Sequence, residues 1–143
     1  MSTLYVALVV LLGDQTLKLV LRQRLRSTVL ALKPFGEVRI VTGQIWLRRL
    51  DRECHGAEIW CLWLAATVPL VIASILLTAL APFVGLLLGG SLSHAVESSL
   101  RGGITDYLCL RFWPAFNLAD LALVVGAVGT IGELLMLMRT IAF

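Results

Sequence analysis

The run Ile59–Val96, IWCLWLAATVPLVIASILLTALAPFVGLLLGGSLSHAV, holds no Asp, Glu, Lys or Arg. A helix crossing a bilayer needs about 20 predominantly apolar residues, so this run is long enough for two. Only Thr78-Ala79-Leu80-Ala81-Pro82 separates its halves. Proline suits the first turn of a new helix, where its missing N–H costs nothing. The spacing therefore predicts a tight antiparallel hairpin of two membrane helices, and the connections entering and leaving it share one side of the membrane.

Outward from the hairpin, Leu4–Leu21 and Leu118–Met138 supply two further apolar segments. The expected fold is an all-α integral membrane protein, a single membrane domain over residues 1–143 with helices over about 4–21, 59–80, 83–98 and 118–138. Composition agrees: 59% of the 143 residues are apolar and the mean hydropathy is +0.92, above the roughly 45–50% apolar content of soluble domains. The first segment has no basic start and no small-residue cleavage site, and it carries Asp14 and Lys18; a retained helix is expected rather than a removable signal. Gly85 and Gly89 form a GxxxG pair, and Ala122, Gly126 and Thr130 a second small-residue stripe, which predict close helix contacts and no chemistry.

Residues 22–58 form the longest connection, with eight basic residues: Arg22, Arg24, Arg26, Lys33, Arg39, Arg48, Arg49 and Arg52. Within it Glu37-Val38-Arg39-Ile40-Val41 alternates in the manner of a half-buried strand, and Ile45–Leu50 has an interfacial character. A small cap on the membrane surface, with a short β segment, is the expectation. Counting arginines alone would place this loop in the cytoplasm. Cys54, Cys61 and Cys109 are too few and too scattered for a disulfide framework. Cys54, His55 and Cys61 lack the second ligand pair that a tetrahedral metal site requires, so no metal is expected.

Ionisable groups within membrane spans cost roughly 2.5–3.5 kcal/mol each on insertion scales, so they face the bundle interior with a partner or a function. Asp14 and Lys18 stand four residues apart on one helical face, as a packing ion pair or as chemistry. Glu133 lies near the end of the last span, within reach of the interface. The third place is Gly89–Asp120, GGSLSHAVESSLRGGITDYLCLRFWPAFNLAD, which gathers polar residues where the third helix ends and the fourth begins.

Asp106 and Asp120 belong to that stretch. In one continuous helix their fourteen-residue separation would be about 21 Å at 1.5 Å per residue. Gly102-Gly103 breaks the helix before Asp106, and Trp113-Pro114 restrains the chain before the fourth helix, so the segment between must cross back over the bundle. The carboxylates then converge. Two carboxylates in a partly dry site cannot both ionise easily; one keeps a proton, and the pair serves as base and acid on one water. Spacing alone offers a plainer reading: Asn117-Leu118-Ala119-Asp120 is a capping box, and Asp106 is a turn residue after a glycine pair.

The pattern Asp14-Gln15-x-x-Lys18, Gly89-Gly90, Gly102-x-x-x-Asp106-Tyr107 and Trp113-Pro114-x-Phe116-Asn117-x-Ala119-Asp120, followed by Gly126, resembles the signal peptidase II family (lipoprotein signal peptidases, peptidase family A8) across essentially the whole chain. The resemblance implies an intramembrane aspartic endopeptidase with Asp106 and Asp120 as its catalytic pair. Asn117 would position Asp120 or the substrate, and His94, Arg101, Asp14 and Lys18 would support the site. The implied substrate is a prolipoprotein cut just before a diacylglyceryl-modified cysteine, at the outer face of the bacterial inner membrane. Membrane lipids are the other expected partner; no nucleic acid, cofactor or metal is implied, and a monomer is expected. This topology puts the basic loop outside, where its arginines would meet anionic head groups or substrate flanks.

The chain also departs from the family. The family's Asn-x-Gly appears as Val41-Thr42-Gly43, and its Gly-Asn-x-x-Asp-Arg as Ser93-His94-Ala95-Val96-Glu97-Ser98. Arg101, one turn beyond Ser98, is the expected substitute for the lost arginine. His94 is either the substitute for the lost amide or a polar helix residue satisfied by a neighbour. Two other functions compete with cleavage: a degenerate paralogue that binds lipid-modified peptides or a membrane partner without cutting, and a small ion-handling subunit suggested by Asp14, Lys18 and Glu133.

Overall fold

The computed structural model describes residues 2–25, 29–32, 34–44 and 56–142. Four helices dominate: α1 (Ser2–Arg24), α2 (Gly56–Leu76), α3 (Ala81–Arg101) and α4 (Leu118–Ala142). All four are long and apolar enough to cross a membrane. Their burial is inverted relative to a soluble protein. In α1 the buried side chains are Ala7, Val10, Asp14 and Lys18, while Leu4, Leu8, Leu12 and Leu19 lie exposed. Large apolar groups facing outward with charges inside is the pattern lipid imposes on a bundle.

Helix α3 is the central element, packed between α1 and α4 with α2 on its outer side. Small residues let the backbones meet. A Cβ on Gly85 would stand 2.7 Å from the Thr3 carbonyl oxygen, and one on Gly89 2.6 Å from that of Ala7. Gly126 meets the other face of α3, 2.9 Å from the Phe83 oxygen by the same construction. The GxxxG pair thus sets the α1–α3 contact, with Ala7, Leu80, Val84 and Leu88 filling the core beside it.

Helix bounds differ from the sequence expectation at the polar ends. The second helix stops at Leu76, and a 3₁₀ turn, Thr78–Leu80, leads into α3 with Pro82 in its first turn. Helix α1 runs to Arg24, so Arg22 and Arg24 are helical rather than loop residues. Helix α3 continues through the polar stretch to Arg101 because Ser93, Glu97 and Ser98 are buried among other elements instead of facing lipid. Gly102 ends it with a left-handed φ of 69°, its N–H reaching the Ser98 carbonyl at 2.9 Å, the glycine cap that a side chain at this position would strain.

The expected β segment is part of a three-stranded antiparallel sheet, β1 (Leu30–Leu32), β2 (Gly36–Gln44) and β3 (Gly103–Leu110), in the order β1-β2-β3. The first two strands come from the α1–α2 connection. The third comes from the α3–α4 connection, with Val41 opposite Asp106. Both connections therefore share one end of the bundle, as the hairpin argument requires. The interfacial stretch 45–50, the basic residues Arg26, Lys33, Arg48, Arg49 and Arg52 of the connection, Cys54 and His55 lie outside the described residues; Cys61 is exposed on α2.

Candidate active site

Strand β3 and the turn after it bring the two aspartates together. Thr105 and Tyr107 are buried toward the helices, while Asp106, on the alternate face, is half-buried. Beyond Leu110 the chain folds back: Phe116 N–H donates to the Leu108 carbonyl at 3.0 Å, and Leu108 N–H returns the bond to Phe116 at 2.9 Å. Asn117 and the start of α4 are thereby laid against β3. The Tyr107 hydroxyl accepts the Leu118 N–H at 2.8 Å, satisfying one of the free donors of the helix start. Burial pushes the Tyr107 phenol up to about 12, so it remains a neutral hydroxyl.

Asn117 is fully buried and sits between the acids. Its Nδ2 donates to Asp106 Oδ1 at 2.7 Å and to the Thr105 carbonyl at 3.3 Å. Its Oδ1 accepts the Asp120 N–H at 3.0 Å, and its own N–H donates to Asp120 Oδ2 at 2.9 Å. This is a reciprocal capping box. Capping leaves the second oxygen available: Asp120 caps with Oδ2 and turns Oδ1 toward His94 Nε2 at 3.4 Å. His94 Nε2 also stands 3.3 Å from Asn117 Oδ1. An Nε2–H tautomer would face both of these acceptors.

Burial raises the Asp106 carboxyl above the usual range; the Asn117 hydrogen bond opposes this, and the negative charge of Asp120 adds to it. Beside Asp120 lies a cavity of about 220 Å³ lined by Leu110, Trp113, Phe116, Asp120, Leu121 and Val124. A carboxylate at the rim of an apolar cavity suits a bond flanked by an apolar group.

The remaining expected residues divide. Asp14 and Lys18 are fully buried and paired at 2.7 Å, and Asp14 reaches the start of α4: its Oδ1 accepts the Ala119 N–H at 3.3 Å, while its Oδ2 accepts the Ser93 hydroxyl at 2.5 Å. Arg101 is the exposed last residue of α3 and has no ion pair among the described residues. The cation that reaches the region is Arg22, which binds both Glu97 and Thr105. Glu97, buried and bonded to Lys18 at 2.9 Å, was not singled out from the sequence. Its signal in the sequence is twofold: an acid at the end of a span, and a place in Ser93-His94-Ala95-Val96-Glu97-Ser98 where the pattern the chain resembles has aspartate.

Residues 6–136 match the family model for signal peptidase (SPase) II. A lipoprotein signal peptidase of Pseudomonas aeruginosa (strain UCBPP-PA14) is 34% identical over 84 residues, 48% of this chain and 50% of that protein. Another, of Halothermothrix orenii, is 46% identical over 43 residues, 30% of each. Against these curated relatives the chain spans half the length or less. Among solved structures, a bacterial membrane enzyme determined by the in meso method at 1.9 Å has a TM-score of 0.78 at 19% identity, over 93% of this chain and 92% of that one. A second, at 2.3 Å, has a TM-score of 0.69 at 20% identity, over 94% and 87%. At such identities the likeness is one of fold.

Proposed function

The chain belongs to the signal peptidase II family, and on that footing we propose that it is an aspartic endopeptidase that cuts the signal peptide of a prolipoprotein just before a diacylglyceryl-modified cysteine. The observation that carries the reading is the Asn117 bridge, one buried residue bonded to Asp106 through its side chain and to Asp120 through its backbone. Such a bridge fixes two acids in one small, partly dry space, which is the arrangement that splits their roles.

Asp106, whose carboxyl burial raises above the usual range, begins as the acid and Asp120 as the base. A water between them loses a proton to Asp120 as its oxygen attacks the scissile carbonyl carbon, and Asp106 protonates the carbonyl oxygen. The tetrahedral diol then collapses. Asp120 passes its proton to the departing amide nitrogen while a diol hydroxyl returns one to Asp106, restoring the pair. His94 donates toward Asp120, and Asp14 with Lys18 holds the start of α4. The apolar cavity beside Asp120 takes the apolar part of the substrate next to the cut. This chemistry needs no metal or organic cofactor. The protein acts as a monomer in the bacterial inner membrane among its lipids, with the sheet end at the outer face.

The test is cleavage of a diacylglyceryl-modified prolipoprotein by the purified protein beside Asp106→Asn and Asp120→Asn. Cleavage lost in both variants supports the mechanism, and cleavage surviving both overturns it. Binding of the substrate without turnover by the natural chain would instead favour the non-catalytic paralogue, the reading to which His94 and Ser98 at substituted positions point.

A further inference from the structure

Two hydrogen-bond chains leave the charged face of α1, and each ends one residue before a proposed catalytic aspartate. At one end Asp14 accepts the N–H of Ala119, the neighbour of Asp120. At the other the Arg22 guanidinium donates to the hydroxyl of Thr105, the neighbour of Asp106. Lys18 joins the two, bonded to Asp14 at 2.7 Å and to Glu97 Oε2 at 2.9 Å, and Arg22 takes the other oxygen of Glu97. Asp14, Lys18 and Arg22 recur every four residues, so one helix face carries all three.

Resting on the function proposed above, we infer that Arg22 is the positioning residue for Asp106. Thr105 is held at two points: its hydroxyl by Arg22 and its carbonyl by Asn117 Nδ2, the same amide that grips Asp106. Arg22 therefore fixes the start of β3 against α3 and, through it, the place of the Asp106 carboxylate. One nitrogen, Arg22 Nη2, donates both bonds, so the carboxylate of Glu97 and the hydroxyl of Thr105 are held at a single point. Arg22 is set apart from the rest of the network by leaving a fifth of its side chain exposed, and after its replacement Glu97 still keeps Lys18 as a partner.

The experiment compares Arg22→Gln, Thr105→Val, their double variant, Thr105→Ser and the control Arg24→Gln, an exposed neighbour on the same turn. On a diacylglyceryl-modified prolipoprotein, Arg22→Gln and Thr105→Val each lower kcat by roughly tenfold to a hundredfold with KM little changed. The double variant is no worse than the single ones, because both remove one link. Thr105→Ser and Arg24→Gln stay near the natural rate. Thr105→Val keeps the Arg22–Glu97 pair and so reads the link even if Arg22→Gln fails to fold. In parallel, amide hydrogen exchange accelerates over residues 104–108 in Arg22→Gln and not in the core of α3. Unchanged kcat, multiplicative losses, or unchanged exchange at 104–108 would each overturn the inference. A natural chain that cleaves nothing defeats the proposed function alone; the exchange result still decides the role of Arg22.

Discussion

Asn117 and Asp106 are joined by a 2.7 Å hydrogen bond in which the amide nitrogen donates to Oδ1. Because Asn117 is also the N-cap of α4, the position of one proposed catalytic carboxylate is tied to the start of the helix that carries the other. Asn117→Ala removes the cap and leaves buried acceptors on Asp106 and Thr105 without their donor. Thermal unfolding in detergent is expected to show a loss of roughly 1–3 kcal/mol, and prolipoprotein cleavage a loss of about a hundredfold or more.

Asp106→Asn and Asp120→Asn keep the shape of each side chain and remove its acid–base capacity. The amide oxygen of an asparagine at 120 can still accept the Asn117 N–H, so the helix start survives. Each change is expected to abolish measurable cleavage while leaving the unfolding temperature within a few degrees of the natural chain. The double variant should be no slower than either single one, since the pair works as a unit. Residual activity that falls stepwise through the three variants would speak against a shared water.

The helices were legible because bilayer thickness dictates their length, and β2 because its alternation survives in sequence. Strand β3 was not. Gly103–Leu110 begins at a glycine pair and reads as a crossing segment; its strand character comes from pairing with β2, from Gln44 opposite Gly103 to Gly36 opposite Leu110, far earlier in the chain. The breaks around Asp106 and Asp120 let the two converge and the family resemblance implies their pairing, yet the bridge through Asn117 depends on how Phe116 folds back on Leu108. The charge network was half visible. Asp14 and Lys18 are one turn apart, but Glu97 meets Lys18 and Arg22 from α3, 79 and 75 residues away. Local spacing cannot report such a pairing; it points instead to Arg101, one turn beyond Ser98.

Lys18 bonds two carboxylates in a space closed to solvent. Lys18→Met leaves Asp14 and Glu97 facing each other with only Arg22 to balance them. Removing one partner of a buried ion pair costs about 3–5 kcal/mol, and a loss of that size in thermal unfolding is expected here. Adding Asp14→Asn to Lys18→Met removes the uncompensated charge and should recover part of the loss. A double variant less stable than Lys18→Met alone would show that Asp14 stabilises chiefly through Ala119 and Ser93 instead of through Lys18.

Burial and the neighbouring Asp120 charge raise the Asp106 carboxyl above its ordinary value of 3.8, against the pull of the Asn117 hydrogen bond. The native state thus holds that proton more tightly than the unfolded chain does. Below the ordinary value both states are protonated and the favourable contribution is complete. As pH rises past it the unfolded chain ionises first, so stability drains away until the native carboxyl ionises too, after which the loss is constant. Asp106→Asn has no such proton. The unfolding temperature of Asp106→Asn relative to the natural chain should therefore climb as pH is raised from about 3 and then level off. A flat difference would show Asp106 to be as well solvated in the fold as in the unfolded chain, and a falling one would mean that the fold favours its charged form.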